Sequence, residues 1–140
     1  MSKIHVIARA AVIDKGYILL TKCRDFFFLP GGHVKHAESI PQAAVRELSE
    51  EAALDSTLDC FIGAIECVWD DKGSPFHEIN FVFKLKIDDL VAGQEVLSKE
   101  PHISFHWVSI KDIEKIKFLP KGMKNLIVSY ADEGKKDFVR

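Results

Sequence analysis

The chain has 140 residues, of which 47% are hydrophobic and 29% are charged, and its formal net charge at pH 7 is −2. This length suffices for one domain with a substantial core, and this composition excludes an intrinsically disordered chain. The small negative charge gives no general attraction to a nucleic acid polymer or an anionic membrane, so neither is expected as a partner. We therefore predict a single globular domain over residues 1–140.

The N-terminal segment and the cysteines indicate a cytoplasmic protein. The first residues lack the charged region and long apolar stretch of a signal peptide, and no run approaches the ~20 apolar residues of a membrane span. Cys23, Cys60 and Cys67 are odd in number and have no CxxC spacing. We expect reduced, mostly buried thiols.

The first third of the chain predicts a hairpin followed by a short strand. Residues 4–13 are apolar and partly alternating, and residues 17–23 are expected to pair with them across a turn. The sequence FFFL at 26–29 predicts a short strand that ends at PGG, 30–32, which places a glycine loop at the strand's end. Phe28 and its neighbours are candidates for stacking on a nucleobase, although an aromatic run beside a sheet more often belongs to the core.

Residues 31–54, GGHVKHAESIPQAAVRELSEEAAL, predict this glycine loop followed by an amphipathic helix. Ser39 and Gln42 have the spacing of a capping box, and Pro41 falls in the first turn, where its missing N–H costs nothing. Ala44, Leu48 and Ala52 recur at helical spacing on a flank that can be buried. Three carboxylates share an arc of about 100°, namely Glu47, Glu50 and Glu51.

The second half of the chain predicts three strands and a terminal helix. The expected strands cover residues 57–69, 76–87 and 103–108, with a turn at 70–75, a polar loop at 88–101, and helical segments at 110–116 and 121–131. The tail, 134–140, is expected to fray. Strands, a central helix, more strands and a terminal helix indicate an α+β or mixed α/β fold.

The carboxylate cluster indicates a cation site. Like charges three or four residues apart on a helix repel by roughly 0.2–0.5 kcal/mol per pair, so such a face is either solvated surface or a place where a cation binds. Mg²⁺ takes several oxygen ligands. Glu38 adds another carboxylate, and the flexible Gly31 and Gly32 let a backbone group approach a metal or a phosphate. These residue types suggest Mg²⁺ carrying a phosphorylated ligand.

The spacing of these residues resembles the Nudix box, the signature of the Nudix hydrolase family. Six fixed identities match, two of them before the helix and four within the segment RELSEE at 46–51: Gly32, Glu38, Arg46, Glu47, Glu50 and Glu51. At roughly one in fifteen for each identity, chance agreement is on the order of 10⁻⁷ per starting point. One position departs, because the family has glycine where this chain has Ala53. Alanine there is expected to cost about 1 kcal/mol or to shift the end of the helix.

The resemblance implies both a fold and an activity. The fold is the Nudix-type α/β/α sandwich, with a mixed β-sheet between helices. The activity is hydrolysis of a pyrophosphate bond in a nucleoside diphosphate linked to another moiety X, with Mg²⁺ or Mn²⁺ as cofactor. ADP-ribose, nucleotide sugars and nucleoside triphosphates are the substrate classes this leaves open. An inactive nucleotide-binding module is the alternative, although such a module should lose box carboxylates first. Dimers are common in the family, so the resemblance leaves a homodimer open as the oligomeric state.

The resemblance also implies roles for individual residues. Catalytic roles fall on Glu47, Arg46 and Glu50, with Arg46 as an orienting partner; the metal ligands are Gly31 through its carbonyl, Glu38, Glu47, Glu50 and Glu51; and substrate contacts fall on Gly32, His33 and Phe28. Glu47 is the first candidate for the general base, and the alternatives are Glu78, Glu95 and Glu100. The six histidines show no spacing typical of a zinc site, although His33 and His36 flank the glycine loop and could touch a phosphate.

Overall fold

The computed structural model describes residues 3–140. The strands in this range are β1 (Ile4–Ala11), β2 (Ile13–Asp14), β3 (Tyr17–Cys23), β4 (Phe26–Phe28), β5 (Gly31–His33), β6 (Thr57–Asp71), β7 (Ser74–Lys86), β8 (Ser104–Ser109) and β9 (Asp137–Val139). The helices are α1 (Ile40–Ala52), α2 (Met123–Glu133) and a short 3-10 helix (Ile110–Lys115). Apart from the differences described below, the helices and strands predicted from the sequence are present, with ends shifted by a few residues.

The strands form two sheets. The larger sheet has the order β5-β1-β7-β6-β9, in which β1–β7 and β6–β9 are parallel pairs and the other pairs are antiparallel. In the smaller sheet β3 pairs antiparallel with β2, β4 and β8. The predicted mixed sheet is therefore confirmed.

The two α-helices cover opposite faces of the larger sheet. On one face, α1 contributes Ala43, Ala44 and Leu48 to a buried cluster that includes Phe83 and Leu85 of β7. The opposite face packs against α2 and the smaller sheet, in a cluster that contains Ile62, Ile65, Val82, Met123, Leu126 and Ile127. This is the α/β/α sandwich that the resemblance implies.

Helix α1 begins and ends at the predicted places. The Ser39 hydroxyl accepts a hydrogen bond from the Gln42 backbone N–H at 3.3 Å, as in a capping box. At the other end Ala53 adopts the left-handed conformation (φ 54°, ψ 35°), and its N–H donates to the Ser49 carbonyl at 2.9 Å. Alanine therefore keeps the left-handed C-cap geometry that glycine would suit, and it bears the steric cost of that geometry.

The strand predicted over residues 4–13 is in fact two strands in different sheets. β1 lies between β5 and β7, and only β2 pairs with the start of β3. The glycine segment is also more regular than a loop, because β5 pairs with β1 from Ile7 to Arg9. Local alternation predicts the extended conformation, but the choice of partner depends on strands distant in sequence.

The prediction of a frayed tail is wrong. β9 pairs in parallel with Gly63–Ile65 of β6, and Val139 packs against the core beneath α2. This pairing requires glycine at position 63, because a Cβ atom there would clash with the Asp137 carbonyl.

The three cysteines are half-buried rather than mostly buried. None of the helices within residues 3–140 has the length and apolarity needed to cross a membrane.

Candidate active site

Strand β5 places the glycine segment directly against α1. A Cβ atom on Gly31 would clash with the Ala8 carbonyl, so close pairing with β1 requires glycine there. A Cβ atom on Gly32 would lie 2.6 Å from the carboxylate carbon of Glu47. The glycine at position 32 therefore makes room for the Glu47 side chain, which rises from α1 and lies over the β5 backbone.

The Arg46 guanidinium holds three of the box carboxylates and one backbone carbonyl. It donates to both oxygens of Glu38, at 2.7 and 3.1 Å, and to Glu47 and Glu50 at 3.0 and 3.1 Å. It also donates to the His33 carbonyl at 3.1 Å, which ties β5 to the helix. The hydrogen bonds from Arg46 are the main reason that the pKa of Glu38 falls to about 2.

Glu51 is the buried carboxylate of the group. It is 8% exposed, and it accepts one hydrogen bond from the Gly31 backbone N–H at 3.2 Å. Burial, followed by the negative charges of Glu47 and Glu100, raises the pKa of Glu51 to about 7, against the smaller opposing effects of the Gly31 N–H and Arg9. A buried carboxylate beside a second carboxylate is an unfavourable arrangement that a cation would relieve.

A second polar network lies beside the carboxylates, on the sheet face opposite α1. Arg9 of β1 donates to the Asn80 side chain at 3.0 Å and to the Leu29 carbonyl at 2.9 Å. Asn80 in turn donates to the carboxylate of Glu78 at 2.9 Å, and both residues are buried. Burial lowers the pKa of Arg9, and the nearby carboxylates, Glu78 first, oppose that effect. An arginine nevertheless remains charged at neutral pH, so this network places a fixed cation next to the box.

The Arg9–Glu78 network forms part of the lining of a cleft of about 1300 Å³ between the larger sheet, β4 and the start of α2. Phe28 of β4 and Trp69 of β6 supply aromatic surface, and Lys121 and Asn125 supply polar groups from the α2 end. The cleft therefore combines apolar walls with a few polar and charged groups, as is usual for a small-molecule site.

The donor set fits a hard divalent cation. Within residues 3–140 no group of three or more His, Cys, Asp or Glu side chains stands ready to hold a metal ion. Arg46 lies among the carboxylates and already neutralises part of their charge. The available donors are nevertheless carboxylate oxygens and the Gly31 carbonyl, which suit Mg²⁺ or Mn²⁺ and not a soft metal. The crowding of Glu47 and Glu51 favours such a cation.

The predicted site residues do not all lie together. Glu38, Glu47 and Glu50 surround Arg46, whereas Glu51 lies against Gly31. Among the alternative general bases, Glu78 lies in the cleft and Glu100 is close enough for its charge to act on Glu51, while Glu95 is exposed in the loop between β7 and β8.

The predicted substrate contacts are also divided. Phe28 lines the cleft, and Gly32 lies beneath Glu47. The ring of His33 is exposed and shares a 3.0 Å hydrogen bond with the ring of His5, and His36 is exposed.

Sequence reasoning missed Arg9, Asn80 and Trp69. The first two are polar residues within apolar strands, IHVIARAA and INFVF, and a charged or amide group on a buried face needs a partner. That pattern could have marked both residues as members of a network. Trp69 could have been marked only by its position beside the predicted turn, which gives no indication of the cleft.

Comparison with known proteins agrees with this fold and with the resemblance to the Nudix family. The model of the NUDIX domain matches residues 3–130. Among solved structures, the MutT protein from Methanosarcina mazei Go1 superposes with a TM-score of 0.73 at 22% identity, covering 96% of this chain and 98% of that one. The MutT NUDIX hydrolase from Burkholderia pseudomallei gives 0.66 at 22% identity, with 91% and 98% covered. An ADP-ribose pyrophosphatase from Streptococcus suis 89-1591 gives 0.61 at 18% identity, with 96% and 93% covered.

No protein of curated function matches the chain. The structural likenesses, all below 25% identity, support the fold, and the domain match extends over nearly the whole chain. The prediction of a Nudix pyrophosphohydrolase is therefore confirmed at the level of the family, and the chain belongs to the NUDIX family.

Proposed function

We propose that this protein hydrolyses a pyrophosphate bond in a nucleoside diphosphate linked to a moiety X, with Mg²⁺ or Mn²⁺ as cofactor. The observation that carries the proposal is the pair Glu47 and Glu51. One carboxylate is pressed against a glycine and the other is buried with a raised pKa, and both are close enough to Arg9 of the cleft lining for their charges to act on it. A protein would gain little from such crowding unless a cation bound there.

Each box residue has a specific task in this proposal. Glu47, Glu50, Glu51, Glu38 and the Gly31 carbonyl would hold the metal, which when bound offsets the charge of the diphosphate and lowers the pKa of bound water. Arg46 fixes the directions of Glu38, Glu47 and Glu50 by charge-assisted hydrogen bonds. Glu47 is our first candidate for the base that accepts a proton from the attacking water, and Glu78 and Glu100 are the alternatives that lie nearby.

The cleft is the proposed binding site for the remainder of the substrate. Arg9 and Lys121 supply positive charge to a lining that also contains Glu66 and Glu78, and Phe28 supplies part of the apolar wall. Gly32 and His33 would contact the diphosphate from β5. The structural neighbours are described as a MutT protein, an ADP-ribose pyrophosphatase and a UDP-X diphosphatase, so the substrate panel should cover nucleoside triphosphates, ADP-ribose and UDP-linked sugars.

The test is phosphate, pyrophosphate or nucleoside monophosphate release from this panel with Mg²⁺ and with Mn²⁺. Glu51→Gln keeps the shape of the side chain but removes its charge, so turnover should fall by roughly 10²-fold or more. Glu133→Gln is the matched control, because Glu133 is exposed at the end of α2, and it should retain full turnover. Unchanged turnover in a folded Glu51→Gln protein would refute the metal-ligand role.

An inactive nucleotide-binding module is the second candidate. It predicts that the protein binds a nucleotide but releases no product from any member of the panel. Glu51→Gln would then cause no loss of turnover, because the parent protein would have none. The complete set of box carboxylates favours the enzyme.

A single domain over residues 1–140, a cytoplasmic location and a homodimer are further parts of the proposal. Gel filtration with light scattering would test the homodimer.

A further inference from the structure

Three aromatic rings form a column across the larger sheet. Trp69 of β6 stacks on Phe76 of β7, with ring centroids 4.5 Å apart and planes 27° apart. Phe76 stacks on His5 of β1, with centroids 4.3 Å apart and planes 14° apart. The column follows the order of neighbouring strands β6, β7 and β1. Each ring of the column therefore packs face to face on the next.

The column ends at the cleft, with the indole of Trp69. Phe76 covers one face of Trp69, yet Trp69 is 45% exposed and is part of the cleft lining. Phe28, the other candidate for stacking, is less available, because the Arg9 guanidinium lies over its ring at 5.8 Å and Phe26 packs beside it at 5.8 Å. Trp69 thus presents the freer aromatic face of the two.

The cleft also suits a planar heterocycle beyond this one surface. It holds apolar area next to polar groups such as Asn125, whose amide both donates and accepts hydrogen bonds. Arg9 lines the cleft and is close enough to Glu47 and Glu51 for their charges to act on it, so a ring in the cleft and a diphosphate at α1 can belong to one molecule. An exposed tryptophan at that place can stack on the face of any nucleobase, because every base has a π-face.

We propose that Trp69 is the stacking residue for the substrate, and that it binds the face of a nucleobase in the cleft. Phe76 and His5 are positioning residues that hold the indole in place through the stacked column, so that little side-chain freedom is lost when the base binds. This inference rests on the proposed function in taking the ligand to be a nucleotide. It adds that the base contributes to binding through its ring face.

The first experiment measures binding without turnover. The chain has two tryptophans, so Trp107→Phe leaves Trp69 as the sole indole fluorophore. In that variant, AMP, GMP, CMP and UMP are titrated in turn, with ribose 5-phosphate as the probe that lacks a ring. We expect at least one monophosphate to quench or shift the Trp69 emission and ribose 5-phosphate to leave it unchanged. No response to any of the four, or an equal response to ribose 5-phosphate, would overturn the inference.

The second experiment separates stacking from chemistry. With the substrate that the panel identifies, Trp69→Leu should raise KM by roughly 10- to 100-fold with little change in kcat, and Trp69→Phe should restore most of the affinity. Phe76→Leu should raise KM by a smaller factor, because the indole loses its support. Phe138→Leu, an exposed aromatic change on β9, is the matched control and should leave KM unchanged.

The two proposals fail in different ways. If no substrate is hydrolysed but a monophosphate alters Trp69 emission, the stacking role stands and the enzymatic function does not. If hydrolysis occurs and a folded Trp69→Leu protein keeps its KM, the function stands and the stacking role is wrong.

Discussion

The Gly31 backbone N–H donates a hydrogen bond to the Glu51 carboxylate at 3.2 Å, joining the first residue of β5 to the last turn of α1. Because Gly31 is itself held against β1, this contact fixes the buried carboxylate relative to the larger sheet. The same glycine offers its carbonyl as a candidate metal ligand. One residue thereby positions a carboxylate and is, in the proposed function, also a ligand of the metal.

The raised pKa of Glu51 predicts how stability depends on pH. Between its ordinary pKa of 4.5 and its raised value of about 7, the folded protein retains a proton that the unfolded chain has lost. The free energy of unfolding should therefore fall as pH rises through this window, by on the order of 2 kcal/mol. Denaturant unfolding at a series of pH values without divalent metal measures this slope.

Two comparisons make the pH experiment specific. Glu51→Gln should flatten the slope between pH 4.5 and 7, and Mg²⁺ should do the same by favouring the ionised carboxylate. Glu38 acts in a separate window, because its lowered pKa stabilises the fold above about pH 4.5 and loses that effect toward pH 2. An identical slope in Glu51→Gln would show that another group is responsible.

Arg46→Lys tests whether the guanidinium orients the carboxylates. Lysine keeps the positive charge but cannot reach Glu38, Glu47 and the His33 carbonyl together. We expect kcat to fall by about 10-fold to 100-fold, a higher Mg²⁺ requirement, and a melting temperature close to that of the parent. Arg24→Lys changes an exposed arginine in the same way and should alter none of these quantities. A kcat equal to that of the parent in Arg46→Lys would show that Arg46 forms only ordinary ion pairs and does not orient the carboxylates.

Ala53→Gly should stabilise the protein. Ala53 holds a positive φ of 54°, a conformation that costs an L-residue about 1 kcal/mol and costs glycine nothing. The greater freedom of glycine in the unfolded chain offsets part of the gain, so the free energy of unfolding should rise by up to about 1 kcal/mol. Urea denaturation measures the change. Ala131→Gly, inside α2, is the contrasting control and should destabilise by a similar amount.

Removal of residues 137–140 should destabilise the fold and expose one side of the cleft. These residues pair with β6, and Arg140 forms an ion pair with Glu66 at 3.0 Å. Loss of the Val139 packing and the strand pairing should lower the free energy of unfolding by about 1–3 kcal/mol. Lys135→Ala, just before β9, should have little effect. A truncated protein of parental stability would mean that β9 contributes nothing to the fold.

The box could be predicted because it consists of local spacing, and the sandwich could be predicted because the resemblance to the Nudix family implies it. Ser39 and Gln42 cap α1 as expected, and Leu48 is buried on the predicted flank. The same spacing does not show that Glu51 is buried while Glu50 remains exposed, since that depends on how closely β5 approaches the helix.

The cleft could not be read from the sequence for a related reason. Its lining comes from β1, β3, β4, β6, β7, the segments before β8 and α2, the first turn of α2 and the tail, and no local pattern relates these parts of the chain. Arg9 and Asn80 meet because β1 and β7 are parallel neighbours, a pairing between segments that lie far apart in the chain. The sequence predicts a frayed tail because most residues of the tail are polar. It does not show that Val139 packs against the core.

Helix α1 and the cleft lie on opposite faces of one sheet, and Arg9 of β1, which lines the cleft, is close enough to Glu51 for its charge to act on that carboxylate. In the proposed function, reaction chemistry and ligand choice would therefore be built from different layers of the molecule. Residues that line the cleft would then be able to change without altering the helix that bears the glutamates. Such an arrangement would let a lineage acquire new substrates while its hydrolytic apparatus stays intact.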